Sequence, residues 1–172
     1  MPDAPTPPEK SIALVGSMGA GKSTIGRGLA TRLGLPFADS DAEIEAAAGL
    51  GIAGIFERFG EAHFRESERR AIARLVEGRP QVIATGGGAF IHAETRALLL
   101  ARCTVIWLDG DSETLAERAG RRGGRPLLEG KDKVAVIERL AALRNPAYAE
   151  AHLKIRSDET ALEAIVTALA AR

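Results

Sequence analysis

The residues best placed by type and spacing to do chemistry are Gly16-Ser17-Met18-Gly19-Ala20-Gly21-Lys22-Ser23. They fit the phosphate-loop pattern of a glycine, four free positions and then Gly-Lys-Ser. Glycines let the backbone curl until several N–H groups face one anion. A helix starting near Lys22 adds the partial positive charge of its N-terminus. Lys22 carries a full charge toward the outer phosphates of a nucleoside triphosphate, and Ser23 offers a hydroxyl to Mg2+. Gly19, Ala20, Gly21, Lys22, Ser23 and Thr24 are therefore the expected nucleotide contacts.

Asp39-Ser40-Asp41 follows the apolar run Leu35-Pro36-Phe37-Ala38. Two acids at i and i+2 beyond a strand can face one cleft. A carboxylate there can hold the waters of a metal ion, and another can orient a hydroxyl acceptor or take its proton. Capping of the next helix by Asp39 or Ser40 is the plainer alternative, and the pattern leaves both open. A later apolar run, Gln81-Val82-Ile83-Ala84, ends in Thr85, where phosphate-loop proteins ordinarily carry the metal-holding Asp. Asp39 is the natural substitute, acting through water.

Three arginines sit beside turn or helix-start signals: Arg65, Arg125 and Arg144. A guanidinium fork pairs bidentately with carboxylate or phosphate, so a cluster of them implies an anionic acceptor. Surface solvation is the ordinary fate of a single arginine. Arg121, Arg122 and Arg125 share the glycine-rich stretch Gly120 to Gly130, which suits a basic lid closing over phosphates or a plain surface turn. Gly86-Gly87-Gly88 marks either a tight turn or a close approach of backbone to ligand.

The elements that must hold these residues alternate. Apolar strand-like runs at Ile12–Val15, Leu35–Ala38, Gln81–Ala84, Thr104–Leu108 and Leu153–Arg156 are separated by helical patterns at Lys22–Leu33, Asp41–Ala48, Ala53–Phe59, Glu61–Glu77, Glu94–Ala101, Ser112–Arg118, Asp132–Ala149 and Glu159–Ala171. That alternation predicts a three-layer α/β/α fold with a five-stranded parallel sheet. Ligands in such sheets bind beyond the carboxyl ends of the strands, where every motif above falls.

The chain has 172 residues with 23 basic and 23 acidic side chains, enough for one domain over 11–172 and too balanced for a nucleic-acid-coating face. The even charge and the lack of an exposed apolar stripe predict a monomer. Cys103 is the single cysteine, which rules out an internal disulfide, and its place in an apolar run predicts a buried thiol. The proline-rich start reads as a disordered tail over 1–10. No signal peptide and no stretch of membrane-spanning length is visible, so a cytoplasmic address and no membrane partner are expected.

Taken together, Gly16 to Arg27, Asp39-x-Asp41, Phe64-Arg65-x-x-Glu68, Ile83 to Ala89, Arg125-Pro126-Leu127-Leu128 and Arg144-x-Pro146-x-Tyr148 resemble the motifs of shikimate kinases, in that family's order. The resemblance implies a phosphate-loop, nucleoside-monophosphate-kinase-like core with a substrate-binding segment at about 41–75 and a lid at about 119–131. It implies ATP and shikimate as substrates, with Mg2+. Catalysis would fall to Lys22, Asp41 and Arg125. Shikimate would be held by Asp41, Arg65, Gly86, Gly87, Gly88 and Arg144, with the two arginines on its carboxylate. Ser23 and, through water, Asp39 would hold the metal. Arg125 would reach the phosphates, and Arg122 and Arg156 would lie near adenine. The stretch between Arg122 and Arg125 is short for the family, and Arg121 is an alternative to Arg122.

Overall fold

The computed structural model describes residues 8–122 and 132–172. Five strands form one parallel sheet: β1 (Ser11–Val15), β2 (Phe37–Asp39), β3 (Val82–Ala84), β4 (Cys103–Asp109) and β5 (Leu153–Arg156). Their spatial order is β2-β3-β1-β4-β5. β1 lies at the centre, with Leu14 opposite Ala84 on one side and Ile106 on the other. Every residue of β1 is buried, as a strand covered on both faces requires.

Alternation along β1 feeds two cores. Ile12 and Leu14 pack with Leu29, Ile106, Ile137 and Ile165, whereas Ala13 and Val15 pack with Ile72, Phe90, Leu99, Trp107 and Tyr148. The first core belongs to helices α1 (Lys22–Leu33), α6 (Lys133–Tyr148) and α7 (Ala161–Ala170); the second lies under α3 (Ile52–Glu77) and α4 (Ala93–Arg102). This is the expected α/β/α sandwich. A third cluster, Ile44, Ile55, Phe64 and Ala71, joins α2 (Ser40–Ala48) to α3 away from the sheet. Among the described residues no helix is long and apolar enough to cross a membrane. Cys103 is buried, and burial pushes its thiol up to about 11, which keeps it protonated and inert.

The two helices expected at 53–59 and 61–77 are both present within α3, divided by a kink at Gly60, whose φ of 82° and ψ of 172° no residue with a Cβ adopts without strain. One detail departs from the sequence expectations. The loop expected from Gly120 starts later, because α5 (Ser112–Arg122) continues through it. Gly120 is a helical residue, and a Cβ there would meet only the flexible tip of Lys133 closely, with Nζ at 2.7 Å. The long helix expected over Asp132–Ala149 is observed as α6, with Pro146 in its last turn, where only one late backbone bond is lost. The N-terminal tail up to residue 7, and the lid from 123 onward with Arg125, lie outside the described residues, as does the side chain of Arg122.

Candidate active site

β1 delivers the phosphate loop at the carboxyl edge of the sheet. Gly19 (φ 79°) and Gly21 (φ 81°) take left-handed backbone, which lets the loop wrap back on itself. Lys22 Nζ donates to the carbonyls of Gly16 at 2.7 Å and Ser17 at 2.9 Å, so the ammonium lies across the mouth of the loop. Ser23 Oγ donates to Asp39 Oδ2 at 2.8 Å. The other oxygen, Asp39 Oδ1, accepts from the N–H groups of Asp41 at 3.0 Å and Ala42 at 3.3 Å. One carboxylate thus caps α2, the plainer of the two readings of Asp39, while its other oxygen faces the loop hydroxyl. Its cap fixes the start of α2, which aims Asp41 into the cleft.

That cleft has a volume of about 560 Å3. Gly19, Gly21, Lys22, Ser23, Thr24, Asp39, Asp41, Gly86 and Gly87 line it, and so do Thr85, Arg118, Asp158 and Glu159. Ala20 is wholly buried behind the loop. Arg156 does not line the cleft: its side chain is 74% exposed, with Nε 3.8 Å from Asp158. Arg118 stands there instead, donating from Nη1 to Ser157 Oγ at 3.1 Å. Ser23 and Asp39 present hard oxygen donors side by side, which suits Mg2+. Among the described residues no group of three or more His, Cys, Asp or Glu could hold a metal, so an ion here would draw most of its oxygens from phosphate and water.

Another corner of the site is built around the triple glycine. None of Gly86, Gly87 or Gly88 has positive φ, and side chains crowd Gly86 and Gly88. A Cβ on Gly86 would lie 2.7 Å from Asp41 Oδ1 and 2.9 Å from Glu68 Oε2. A Cβ on Gly88 would lie 2.5 Å from Arg65 Nη2. Arg144 Nη1 donates to the Gly87 carbonyl at 3.2 Å, and Tyr148 Oη donates to the same oxygen at 2.5 Å. Arg65 and Arg144, 79 positions apart in sequence (144 − 65), thus meet on adjacent glycines. Arg96 steadies the turn that follows, donating from Nη1 to the Phe90 carbonyl at 3.2 Å and the Ile91 carbonyl at 2.9 Å, with Nε 3.0 Å from Glu150.

Arg65 Nη1 pairs with Glu68 Oε1 at 2.8 Å, and Glu68 is 1% exposed. Burial raises the Glu68 carboxyl, and the Arg65 guanidinium pulls it back down. Burial also depresses His92, and both Arg65 and Arg144 press it further, as befits two cations sharing one corner.

The family model described as Shikimate kinase matches residues 18–172. The chain belongs to the shikimate kinase family. A shikimate kinase of Caulobacter vibrioides is 54% identical over 164 residues, spanning 93% of this chain and 82% of that one. One of Zymomonas mobilis is 49% identical across 98% of this chain and 94% of its own length. The solved shikimate kinase of Acinetobacter baumannii in complex with shikimate superposes with a TM-score of 0.87 at 39% identity, covering 94% and 90% of the two chains. A gluconokinase of Sinorhizobium meliloti shares the fold at a TM-score of 0.65 and 20% identity.

For a shikimate kinase, the triple glycine gives a direct test. Gly88→Ala places a methyl group in the volume of the Arg65 guanidinium and is expected to raise the KM for shikimate by about tenfold or more, the loss of one charge-assisted bond. The KM for ATP should stay as it was; a Gly88→Ala enzyme with normal shikimate kinetics would contradict the placement. Glu68 and Tyr148 fall within the sequence motifs without an assigned task, though the i, i+3 spacing of Arg65 and Glu68 on a helix is a usable signal. Arg118 and Ser157 carried no signal at all.

Proposed function

We infer that the chain transfers the γ-phosphoryl group of ATP to the 3-hydroxyl of shikimate, giving ADP and shikimate 3-phosphate, the step this family supplies to aromatic amino acid biosynthesis. One observation carries it: Arg65 and Arg144 converge on Gly88 and Gly87, next to Gly86 and Asp41, and Gly86, Gly87 and Asp41 line the cleft of the phosphate loop. Two guanidinium groups suit the carboxylate of shikimate, and Asp41 then faces its ring hydroxyls. The new bond joins the 3-oxygen to the γ-phosphorus as the bond to the β–γ bridging oxygen breaks. Asp41 orients the hydroxyl and takes its proton. Catalysis is chiefly positioning and charge neutralisation by Lys22 and the lid arginine Arg125.

Ser23 and Asp39 are the residues that would hold Mg2+, Asp39 through water, and the ion when bound would neutralise charge on the β- and γ-oxygens. Excess EDTA is expected to abolish ADP release, and added Mg2+ to restore it; turnover that persists in EDTA would contradict this assignment. Arg118 is the better supported contact for the base end of ATP, because it lines the cleft whereas Arg156 points outward. The segment 41–75 and the lid 119–131 are the parts that would close over the bound pair. A cytoplasmic monomer fits this reading, since ATP is a cytoplasmic co-substrate.

A coupled assay of ADP release decides the acceptor. Release should depend on shikimate and not respond to gluconate, the acceptor suggested by the more distant fold relative. Release with gluconate alone, or equal release with no acceptor, would overturn the reading.

A further inference from the structure

Ser157 follows β5, is 5% exposed, and has no task in the reaction above. Its Oγ donates to the carbonyl of Ala20, inside the phosphate loop. It accepts from Arg118 Nη1 at 3.1 Å, and the same nitrogen reaches the Ser157 carbonyl at 3.3 Å. Its own N–H is held by the Asp109 carbonyl at 2.6 Å, so its backbone is anchored to β4. A hydroxyl has one proton to give, and this one is committed to Ala20.

The Ala20 carbonyl and the Gly21 N–H belong to one planar trans peptide, so they point in opposite directions. Fixing the carbonyl toward Ser157 turns the Gly21 N–H the other way. Ala20 is wholly buried, while Gly21 lines the cleft. The other way is therefore toward the phosphates. The anchor matters because Gly21, at φ 81°, has no Cβ to resist rotation of that peptide.

We propose that Ser157 is a positioning residue for the phosphate loop: it locks the Ala20–Gly21 peptide with its N–H toward the nucleotide and ties that peptide to Arg118 on the cleft wall. The proposal rests on ATP being the phosphoryl donor. Ser157→Ala removes the anchor, Ser157→Thr keeps the hydroxyl, and Ser157→Cys substitutes a weak donor of similar shape. The KM for ATP and the Kd for ADP, the latter by calorimetry, are expected to rise about tenfold in Ser157→Ala, as for a lost buried hydrogen bond. They should rise less in Ser157→Cys and return to the wild-type values in Ser157→Thr, with the KM for shikimate unchanged throughout. A purely structural role would lower Tm and leave the ADP affinity of the folded protein alone; that result, in Ser157→Ala or in Ser157→Cys, overturns the proposal. A wild-type chain that bound no ADP would overturn the ATP reading and the proposal together, whereas wild-type binding matched by Ser157→Ala overturns the proposal alone.

Discussion

Replacing Asp41 with asparagine is expected to lower kcat for shikimate phosphorylation by about 10²- to 10⁴-fold, the range for losing a positioned proton acceptor. Asparagine has the shape of aspartate, so the packing against Gly86, where the Asp41 Oδ1 position is 2.7 Å from a would-be Cβ, is kept. The cap on α2 is made by Asp39, not Asp41, so the helix start is also kept. What changes is charge and basicity beside the reacting hydroxyl. ADP affinity should be unaltered, because the loop from Gly16 to Ser23 is untouched. Stopped-time ADP release and calorimetry with ADP measure the two quantities separately. A variant with kcat close to that of the parent would remove Asp41 from the chemistry.

The second large effect concerns the paired arginines. Arg144→Ala is expected to weaken shikimate binding about 10- to 150-fold, the loss of a charge-assisted bond to a carboxylate. Its hydrogen bonds reach the neutral Gly87 carbonyl and the Tyr148 hydroxyl, so no buried carboxylate loses its ion-pair partner and folding should suffer less than in Arg65→Ala. Arg65→Ala should weaken binding by a similar factor and also lower Tm, because it strips the partner from the buried carboxylate of Glu68. The pH dependence follows from the raised Glu68 value. Its folded pKa lies above the unfolded one, so the fold holds that proton more tightly than the open chain does. The associated stability is present in acid and is lost as pH rises through the folded value. Removing Arg65 pushes that value higher still and enlarges the loss. Melting the variant at about pH 5 and about pH 8 checks this, and the Tm deficit against wild type should be greater at the higher pH. An equal deficit at both would mean that Arg65 does not restrain the Glu68 charge.

Much of the fold was legible because it is written in local patterns. Apolar runs ending in glycine or acid mark β1 and β2, and the bounds of Lys22–Leu33 are legible because Gly21 and Gly34 delimit it in sequence as in space. The phosphate loop was legible for the same reason: its chemistry lies in consecutive residues. Gly120 reads as a loop start because glycine is a poor helix former, yet α5 continues through it to Arg122. The triple glycine is weakly legible because Gly86 and Gly88 answer to Asp41, Glu68 and Arg65 on two other elements, and only the fold brings those together. Arg118 is not legible in the sequence, because only the fold shows that its turn of α5 borders the cleft. Ser157 was invisible: a serine after a strand reads as ordinary turn chemistry until its hydroxyl is found on Ala20.

Shikimate and its methyl ester, titrated calorimetrically into the wild type and into Arg144→Ala with ADP present, weigh the carboxylate against the guanidinium in one double cycle. The ester should bind the wild type at least about tenfold more weakly than the acid, and that gap should shrink in Arg144→Ala, because the group that reads the charge is gone. If acid and ester bind the wild type equally, no arginine pair is reading a carboxylate.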